Sequence, residues 1–294
     1  MSLNASPAPL AADISAATGI PFEIADEQDA GGGGIHHGRI LKGRCGRIFF
    51  VKLNRADRLD LFEAEADGLH ELAATGCFRV PKPVSSGADR NTAWLILEYL
   101  PLSSRGDAAA LGQSLASLHR HTQPRFGWRR DNHIGSTLQQ NDWNDDWIAF
   151  WREHRLGFQL GIARCNGAPA SLIHACQAII SHLPDLFADY RPVASLIHGD
   201  LWSGNAAYTN GAPCVFDPAV YYGDREADIA MTELFGGFSH AFYTAYRAAW
   251  PLDPGYERRR DLYNLYHLLN HYNLFGGGYG RQAEQSAKRL LALP

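Results

Sequence analysis

His198-Gly199-Asp200-Leu201-Trp202-Ser203-Gly204-Asn205 is followed, twelve residues after Asn205, by Asp217. The stretch places a carboxylate, a carboxamide five residues on, and a second carboxylate after a short apolar run. Transfer of a phosphoryl group from a nucleotide needs such a set. One group orients an acceptor hydroxyl, and two oxygen ligands hold Mg²⁺ against the phosphates. The intervening residues explain the spacing. Ala206-Ala207-Tyr208 and Pro213-Cys214-Val215-Phe216 are apolar runs, and Thr209-Asn210-Gly211-Ala212 between them carries an Asn-Gly turn signal. Asn and Gly both tolerate positive φ, so the pattern predicts a hairpin. A hairpin brings its open ends together, which predicts Asn205 and Asp217 side by side, with Pro218 ending the ladder. The plainer reading of H-G-D is a loop whose Asp caps a helix. That reading leaves Asn205, the hairpin and Asp217 unexplained.

Composition narrows the setting. The 294 residues suffice for one large domain or two lobes with a sizeable core. A net charge of −4 gives no general attraction to nucleic acid or to an anionic membrane, so neither is expected as a partner. No apolar window is long enough to predict a transmembrane helix, and the N-terminal residues do not read as a secretory signal. The five cysteines, Cys45, Cys77, Cys165, Cys176 and Cys214, are scattered and form no C-x-x-C. They read as free thiols in a reducing, cytoplasmic setting.

Patterning predicts two parts. Residues 10–18 read as a leading helix, followed by a short acidic segment and then Gly31-Gly32-Gly33-Gly34. Residues 35–41 and 47–53 read as strands joined by a turn at Lys42-Gly43-Arg44. Residues 59–75 place Leu61, Phe62, Ala66, Leu69 and Leu72 on one helical face, stopped by Gly76. Val80-Pro81-Lys82-Pro83 is an extended connector, and residues 93–100 form an apolar strand ended by Pro101. Beyond it, helices are predicted over 107–121, 143–160, 170–183, 226–235, 239–250, 256–275 and 282–293. The expected fold is α+β. A small β-rich N-lobe with one main helix spans residues 1–100, and a larger, mostly helical C-lobe spans 101–294. This is a protein-kinase-like, bilobal arrangement.

The protein-kinase catalytic loop reads H-R-D-x-x-x-x-N, then D-F-G. Here it reads H-G-D-x-x-x-x-N, then F-D-P. The small lobe of such a fold supplies a flexible loop over the phosphates, a strand lysine and a helix carboxylate. Gly32, Gly33 and Gly34 can supply the loop, because glycine lets backbone N–H groups approach phosphate closely. Lys52 ends the run Ile48-Phe49-Phe50-Val51, which suggests burial, and a buried lysine needs a partner. Glu65 on the next helix is the candidate partner. Glu63 is the rival, pointing roughly 200° away. Glu98, Tyr99 and Leu100 leave the apolar strand where backbone groups can pair with an adenine edge. Gly199 replaces the arginine of H-R-D, and only ten residues separate Asp217 from Asp228. No long activation segment fits there, so a small acceptor is favoured over a docked protein chain.

At this point the chain resembles the fructosamine kinase (ketosamine-3-kinase) family, relatives of aminoglycoside and choline phosphotransferases. The resemblance rests on Phe49-Phe50-Val51-Lys52, Phe62-Glu63-Ala64-Glu65-Ala66-Asp67-Gly68-Leu69 and Leu97-Glu98-Tyr99-Leu100. It continues through Phe126-Gly127-Trp128, Asp131-Asn132-His133-Ile134-Gly135-Ser136-Thr137, Asn141-Asp142-Trp143 and Trp147. It ends on residues 198–205, Phe216-Asp217-Pro218-Ala219, Tyr221-Tyr222-Gly223-Asp224-Arg225-Glu226 and Tyr266-His267-Leu268-Leu269-Asn270-His271. H-G-D-x-x-x-x-N belongs to the wider superfamily; D-N-x-I-G-S-T and D-P-A-x-Y-Y-G-D-R-E are more specific. The resemblance implies ATP-dependent phosphorylation of the C-3 hydroxyl of a ketosamine, free or on a protein amine. The unstable product ester sheds the sugar and repairs the amine. Position 34 is glycine where many members carry cysteine, a departure that puts thiol-based regulation at that loop in doubt.

The expected roles follow. Asp200 is the base or orienting group for the hydroxyl. Asn205 and Asp217 bind Mg²⁺, and Lys52 with Glu65 positions the phosphates of ATP. Asp228 is expected to support the catalytic loop by hydrogen bonding. Asp224 and Glu226 either meet the substrate's amine or cap a helix. Trp202 either stacks on the sugar or packs. His267 and His271 have an i,i+4 spacing that can bind zinc but no third ligand. Trp143, Trp147 and Trp151 read as one packed helix face. Two other readings stay open: a kinase for an aminoglycoside or amino alcohol, and a silent nucleotide-binding pseudokinase. Pseudokinases usually lose one of the Lys, Asp, Asn, Asp set, and all four are present.

Overall fold

The computed structural model describes residues 7–30 and 36–292. The chain divides into two compact units, Met1–Gly106 with Ala207–Asp217, and Asp107–Ala206 with Pro218–Pro294. No helix among the described residues is long and apolar enough to cross a membrane. None of the five cysteines is in a disulfide.

The first unit is built on a five-stranded antiparallel sheet. In chain order its elements are α1 (Pro7–Thr18), β1 (Ile24–Asp29), β2 (His37–Gly43), β3 (Ile48–Arg55), α2 (Leu59–Ala74), β4 (Pro83–Ala88) and β5 (Thr92–Glu98), with strand order β1-β2-β3-β5-β4. Alternation in β3 sorts its side chains to two faces. Phe49, Val51 and Leu53 join Leu10, Ile14, Phe22, Leu41, Trp94 and Ile96 in one core cluster. Lys52, the residue between Val51 and Leu53, therefore turns to the other face. The leading helix α1 is part of this core. Asp13 Oδ2 accepts from the buried Trp94 indole at 2.8 Å and from Ser85 Oγ at 3.3 Å.

Two strands in this unit were not expected. β1 reads Ile-Ala-Asp-Glu-Gln-Asp and β4 reads Pro-Val-Ser-Ser-Gly-Ala. Both are edge strands without apolar alternation, and polar residues, proline and irregular register are how sheet edges are kept from pairing further. The expected hairpin is present as β9 (Ala206–Thr209) and β10 (Ala212–Val215). Asn210 and Gly211 have φ of 49° and 81°, the paired positive values that a two-residue hairpin turn requires. Reciprocal backbone bonds between Ser103 and Tyr208 (2.8 Å each way) and bonds from Arg79 to Pro213 (2.9 Å) and Val215 to Arg79 (3.1 Å) fasten the hairpin within the first unit.

The second unit is helical. It contains α3 (Ala108–His119), β6 (Asn132–Ile134), β7 (Thr137–Gln139), α4 (Trp147–Phe150), a π-helical turn (Trp151–Gly157), α5 (Phe158–Cys165) and α6 (Ala170–Ser181). β8 (Ala194–Ile197), β11 (Tyr221–Asp224), α7 (Arg225–Leu234), α8 (His240–Ala249), α9 (Tyr256–Phe275) and α10 (Tyr279–Leu291) complete it. α9 is its central helix, buried continuously from Leu262 to Asn270 and packed against α5, α7 and α10. Four short strands, paired β6–β7 and β8–β11, were not expected from pattern, being only three or four residues long. The helix expected over 143–160 starts instead at Trp147, where the Asp146 carboxylate caps the Ile148 N–H at 2.9 Å. Trp147 and Trp151 are buried as expected. Trp143 lies outside the helix, 36% exposed, because the cap at Asp146 stops the helix short of it.

Candidate active site

The candidate residues divide between the two units. In the first, Lys52 is buried at the centre of a carboxylate pair. Its ammonium donates to Glu65 Oε1 at 2.6 Å and to Asp217 Oδ1 at 2.5 Å. Glu65 is buried on α2, whereas Glu63 is exposed, so Glu65 is the partner. Burial works against charge on Lys52, but the fields of Asp217 and Glu65 outweigh it and hold the ammonium above the usual lysine range. Burial pushes the Glu65 carboxyl up, opposed by Lys52 and reinforced by Asp217. The Asp217 side chain is 45% exposed. Its backbone has φ of +56°, a left-handed conformation uncommon for a residue other than glycine.

Glu98 ends β5. Its carboxylate pairs with Arg79, and its N–H donates to the Lys82 carbonyl at 2.9 Å. Tyr99 and Leu100 follow just past the strand. Gly32, Gly33 and Gly34 lie outside the described residues.

In the second unit, β8 delivers the buried His198 and the loop after it. Gly199 has φ of +82°, and a Cβ there would lie 2.0 Å from the Ala219 carbonyl oxygen. No arginine fits this position, which explains H-G-D in physical terms. Asp228 on α7 supplies the support expected of it. Its carboxylate accepts the N–H of His198 at 2.7 Å and of Gly199 at 2.8 Å. His119 Nε2 lies 3.2 Å from Asp228 Oδ2, and its Nδ1 lies 2.8 Å from the Tyr246 hydroxyl. Arg225 donates to that hydroxyl at 2.9 Å, so the hydroxyl proton goes to His119 Nδ1, and Nε2 carries the hydrogen toward Asp228. His119 and this chain of bonds had no separate signal in the sequence.

Asn205 is buried, and its Nδ2 donates to the Asp200 carbonyl at 2.8 Å and to Asp200 Oδ2 at 3.3 Å. With the amide nitrogen turned to Asp200, Oδ1 is left as a hard oxygen donor. Asp217, nearly half exposed, offers a carboxylate oxygen of the same class. Each donor by itself is of the class that Mg²⁺ takes, an ion bound through oxygen that keeps several waters.

Three residues expected near substrate differ in setting. Trp202 is 38% exposed, its ring lies over Gly204, and it meets Phe235 edge-on. Asp224 and Glu226 are fully buried. Asp224 caps α7 through the Glu226 N–H (3.0 Å) and accepts from the hydroxyls of Tyr190 (3.0 Å) and Tyr263 (2.5 Å). Glu226 forms a two-bond ion pair with Arg259 at 2.7 and 3.2 Å. Asp224 is thus a helix cap and Glu226 an ion-pair partner, and neither carboxylate is exposed. Burial, with Asp224 close by, pushes Glu226 up to about 7 against the pull of Arg259. His271 Nδ1 lies 2.8 Å from the His267 carbonyl and donates to it.

Known proteins resemble this chain in sequence and in fold. The family model described as fructosamine kinase matches residues 8–293. A probable ketoamine kinase from Synechocystis sp. is 46% identical, covering 98% of this chain and 99% of its own. A chloroplastic protein-ribulosamine 3-kinase from Arabidopsis thaliana is 45% identical, covering 80% of this chain and 73% of its own. The crystal structure of a fructosamine-3-kinase candidate from Haemophilus somnus superposes with a TM-score of 0.88 at 29% identity, covering 96% of each chain. A macrolide 2'-phosphotransferase type I shares the fold at a TM-score of 0.61 and 17% identity, covering 100% of each chain.

Proposed function

Because the chain belongs to the fructosamine kinase family, we propose that it transfers the γ-phosphoryl group of ATP to the C-3 hydroxyl of a ketosamine, free or on a protein amine. The observation that carries this reading is the buried Lys52 ammonium held by both Glu65 and Asp217. A cation fixed in this way is ready to meet phosphate oxygens. Asp200, tied to Asn205 and standing on a loop held by Asp228, is the group that orients the acceptor.

In this proposal the hydroxyl gives its proton to Asp200 as its oxygen bonds to the γ-phosphorus. The bond from that phosphorus to the β,γ-bridging oxygen breaks, and ADP leaves with the electron pair. Asn205 and Asp217 are the residues that would hold Mg²⁺. When bound, the ion neutralises charge on the phosphates. Lys52 and Glu65 position the nucleotide, with the glycine run at 32–34 and the backbone of residues 98–100 as its further contacts. Trp202, exposed two residues beyond Asp200, is a surface for the sugar.

The test is a phosphorylation assay with ATP and Mg²⁺ across ribuloselysine, fructoselysine and a glycated protein, with an aminoglycoside and an amino alcohol as controls. The expected product is a ketosamine 3-phosphate, its position read by NMR. Transfer to the control acceptors alone would reject the ketosamine assignment. Nucleotide binding with no transfer to any acceptor would make the chain a pseudokinase.

A further inference from the structure

The segment D-N-x-I-G-S-T with the two residues after it, and the segment D-P-A-x-Y-Y-G, are about eighty residues apart in sequence, yet their parts meet inside the second unit. β6 and β7 set Asn132 opposite Gln139, and both side chains are buried. Asn132 Nδ2 donates to the Val220 carbonyl at 2.8 Å. Gln139 Nε2 donates to the Ala219 carbonyl at 3.1 Å and to Asn132 Oδ1 at 2.8 Å.

The network fixes which way each amide faces. The Tyr266 hydroxyl donates to Gln139 Oε1 at 2.8 Å, and Asn141 Nδ2 donates to Asn132 Oδ1 at 2.9 Å. Turning either amide over would set oxygen against oxygen. Behind Asn141 stands Arg155, donating to its Oδ1 at 2.8 Å. Arg155 is fully buried, with its guanidinium 4.0 Å from the Tyr221 ring centre and 4.6 Å from that of Phe150. It lies on the π-helical turn, and such interruptions of a helix occur frequently at functional sites.

The gripped carbonyls matter because of what Ala219 touches next. Its N–H donates to the His198 carbonyl at 2.9 Å, and its own carbonyl is the atom that leaves no room for a Cβ on Gly199. Gln139 therefore holds Ala219 on one side, and Ala219 bears on the loop that carries Asp200 on the other. We propose that Asn132 and Gln139 are positioning residues for phosphoryl transfer, a buried amide clamp that sets the height of the His198–Asp200 loop through the backbone of Ala219. The proposal rests on the reading of Asp200 as the group that orients the acceptor hydroxyl.

The isosteric change Gln139→Glu tests it. A buried glutamic acid offers one O–H where glutamine offers two N–H donors, so either Ala219 or Asn132 loses its bond. With Mg-ATP and whichever hydroxyl acceptor the wild-type protein uses fastest, water included, kcat is expected to fall about 10- to 100-fold, as for a small misplacement of a reacting group. The Kd for Mg-ATP, measured by calorimetry, is expected to stay within about twofold, since the clamp acts on the catalytic loop and not on uniform binding. In an Asp200→Asn background the same change is expected to cost less than about twofold, because the group being positioned is already gone. An unchanged kcat in folded Gln139→Glu, or an undiminished loss in the Asp200→Asn background, would overturn the clamp. If Gln139→Glu does not fold, Tyr266→Phe decides. It removes one bond to Gln139, is expected to lower kcat by about 2- to 5-fold, and overturns the proposal if kcat is unchanged. A wild-type protein active on an aminoglycoside but not on ketosamines rejects the acceptor assignment, while the clamp is tested with that aminoglycoside.

Discussion

Gly199 is a residue whose identity is dictated twice, by a φ of +82° and by the Ala219 carbonyl 2.0 Å from where a Cβ would stand. Gly199→Ala is expected to cost more than the roughly 1–2 kcal/mol of a left-handed residue, because the loop must also move. Thermal unfolding measures the first part, and a fall in kcat larger than the stability loss explains measures the second. Lys52 makes a different kind of prediction. Its removal leaves Glu65 buried without a cation, and the carboxyl, already pushed up by burial, takes up a proton. Lys52→Met is thus expected to fold, and to lose roughly 10²-fold or more in kcat/KM for ATP, comparable to removing a charged donor from a reaction site. A variant with near wild-type kcat/KM for ATP would sink the phosphate-positioning role. The pairing of Lys52 with Glu65 was legible in the sequence from the apolar run before it and from helix geometry. Its second bond, to Asp217, was not, because 165 residues separate the two and no local pattern links them.

At the scale of elements, the sequence read best where burial is one-sided and long. The apolar periodicity of 256–275 coincides with α9, and Asn210-Gly211 coincides with the turn of the β9–β10 hairpin. It read worst at polar edges, β1 and β4, and in strands of three or four residues, where a period of two has no length to show itself. The helix α1 is a case in between. Its helicity was expected, but no pattern showed that Asp13, beside the apolar contacts of Leu10 and Ile14, satisfies the buried Trp94 indole at 2.8 Å. Asp13→Leu is expected to destabilise the protein by about 1–3 kcal/mol, since a buried donor then lacks its partner. Denaturant unfolding checks the magnitude, and faster hydrogen exchange along α1 checks the location. An unchanged midpoint would mean that the apolar contacts of Leu10 and Ile14 suffice.

For the molecule as a whole, buried carboxyls shape stability against pH. Glu226 is pushed up to about 7, above its ordinary 4.5. The folded chain therefore binds this proton more tightly than the unfolded chain does. Its contribution is full below about 4.5 and is lost as pH rises through about 7. Asp228 runs the other way. Burial disfavours its charge, but His119 and the His198 N–H outweigh burial and hold it below the usual range. Its contribution is present above that range and lost as pH falls toward the depressed value. Glu226→Gln is expected to flatten the decline of the unfolding temperature between about pH 4.5 and 7, relative to wild type, leaving the acid limb in place. An unaltered slope in that window would place the titration elsewhere.

The order of chemistry along the chain was determined by the sequence alone. The H-G-D-x-x-x-x-N loop, the hairpin behind it, the strand lysine and its helix carboxylate are local patterns, and local patterns survive in one dimension. The tertiary structure decided what those groups lean on. It put Asp224 and Glu226 into the core as a cap and an ion pair, fastened the hairpin to the first unit through Arg79 and Ser103, and closed Asn132 and Gln139 onto the backbone of Ala219 and Val220. Apart from the cap, which is local, each of these is a polar group satisfied by a partner far away in sequence. A buried amide or carboxylate must find such a partner, but only the folded chain settles which one it finds.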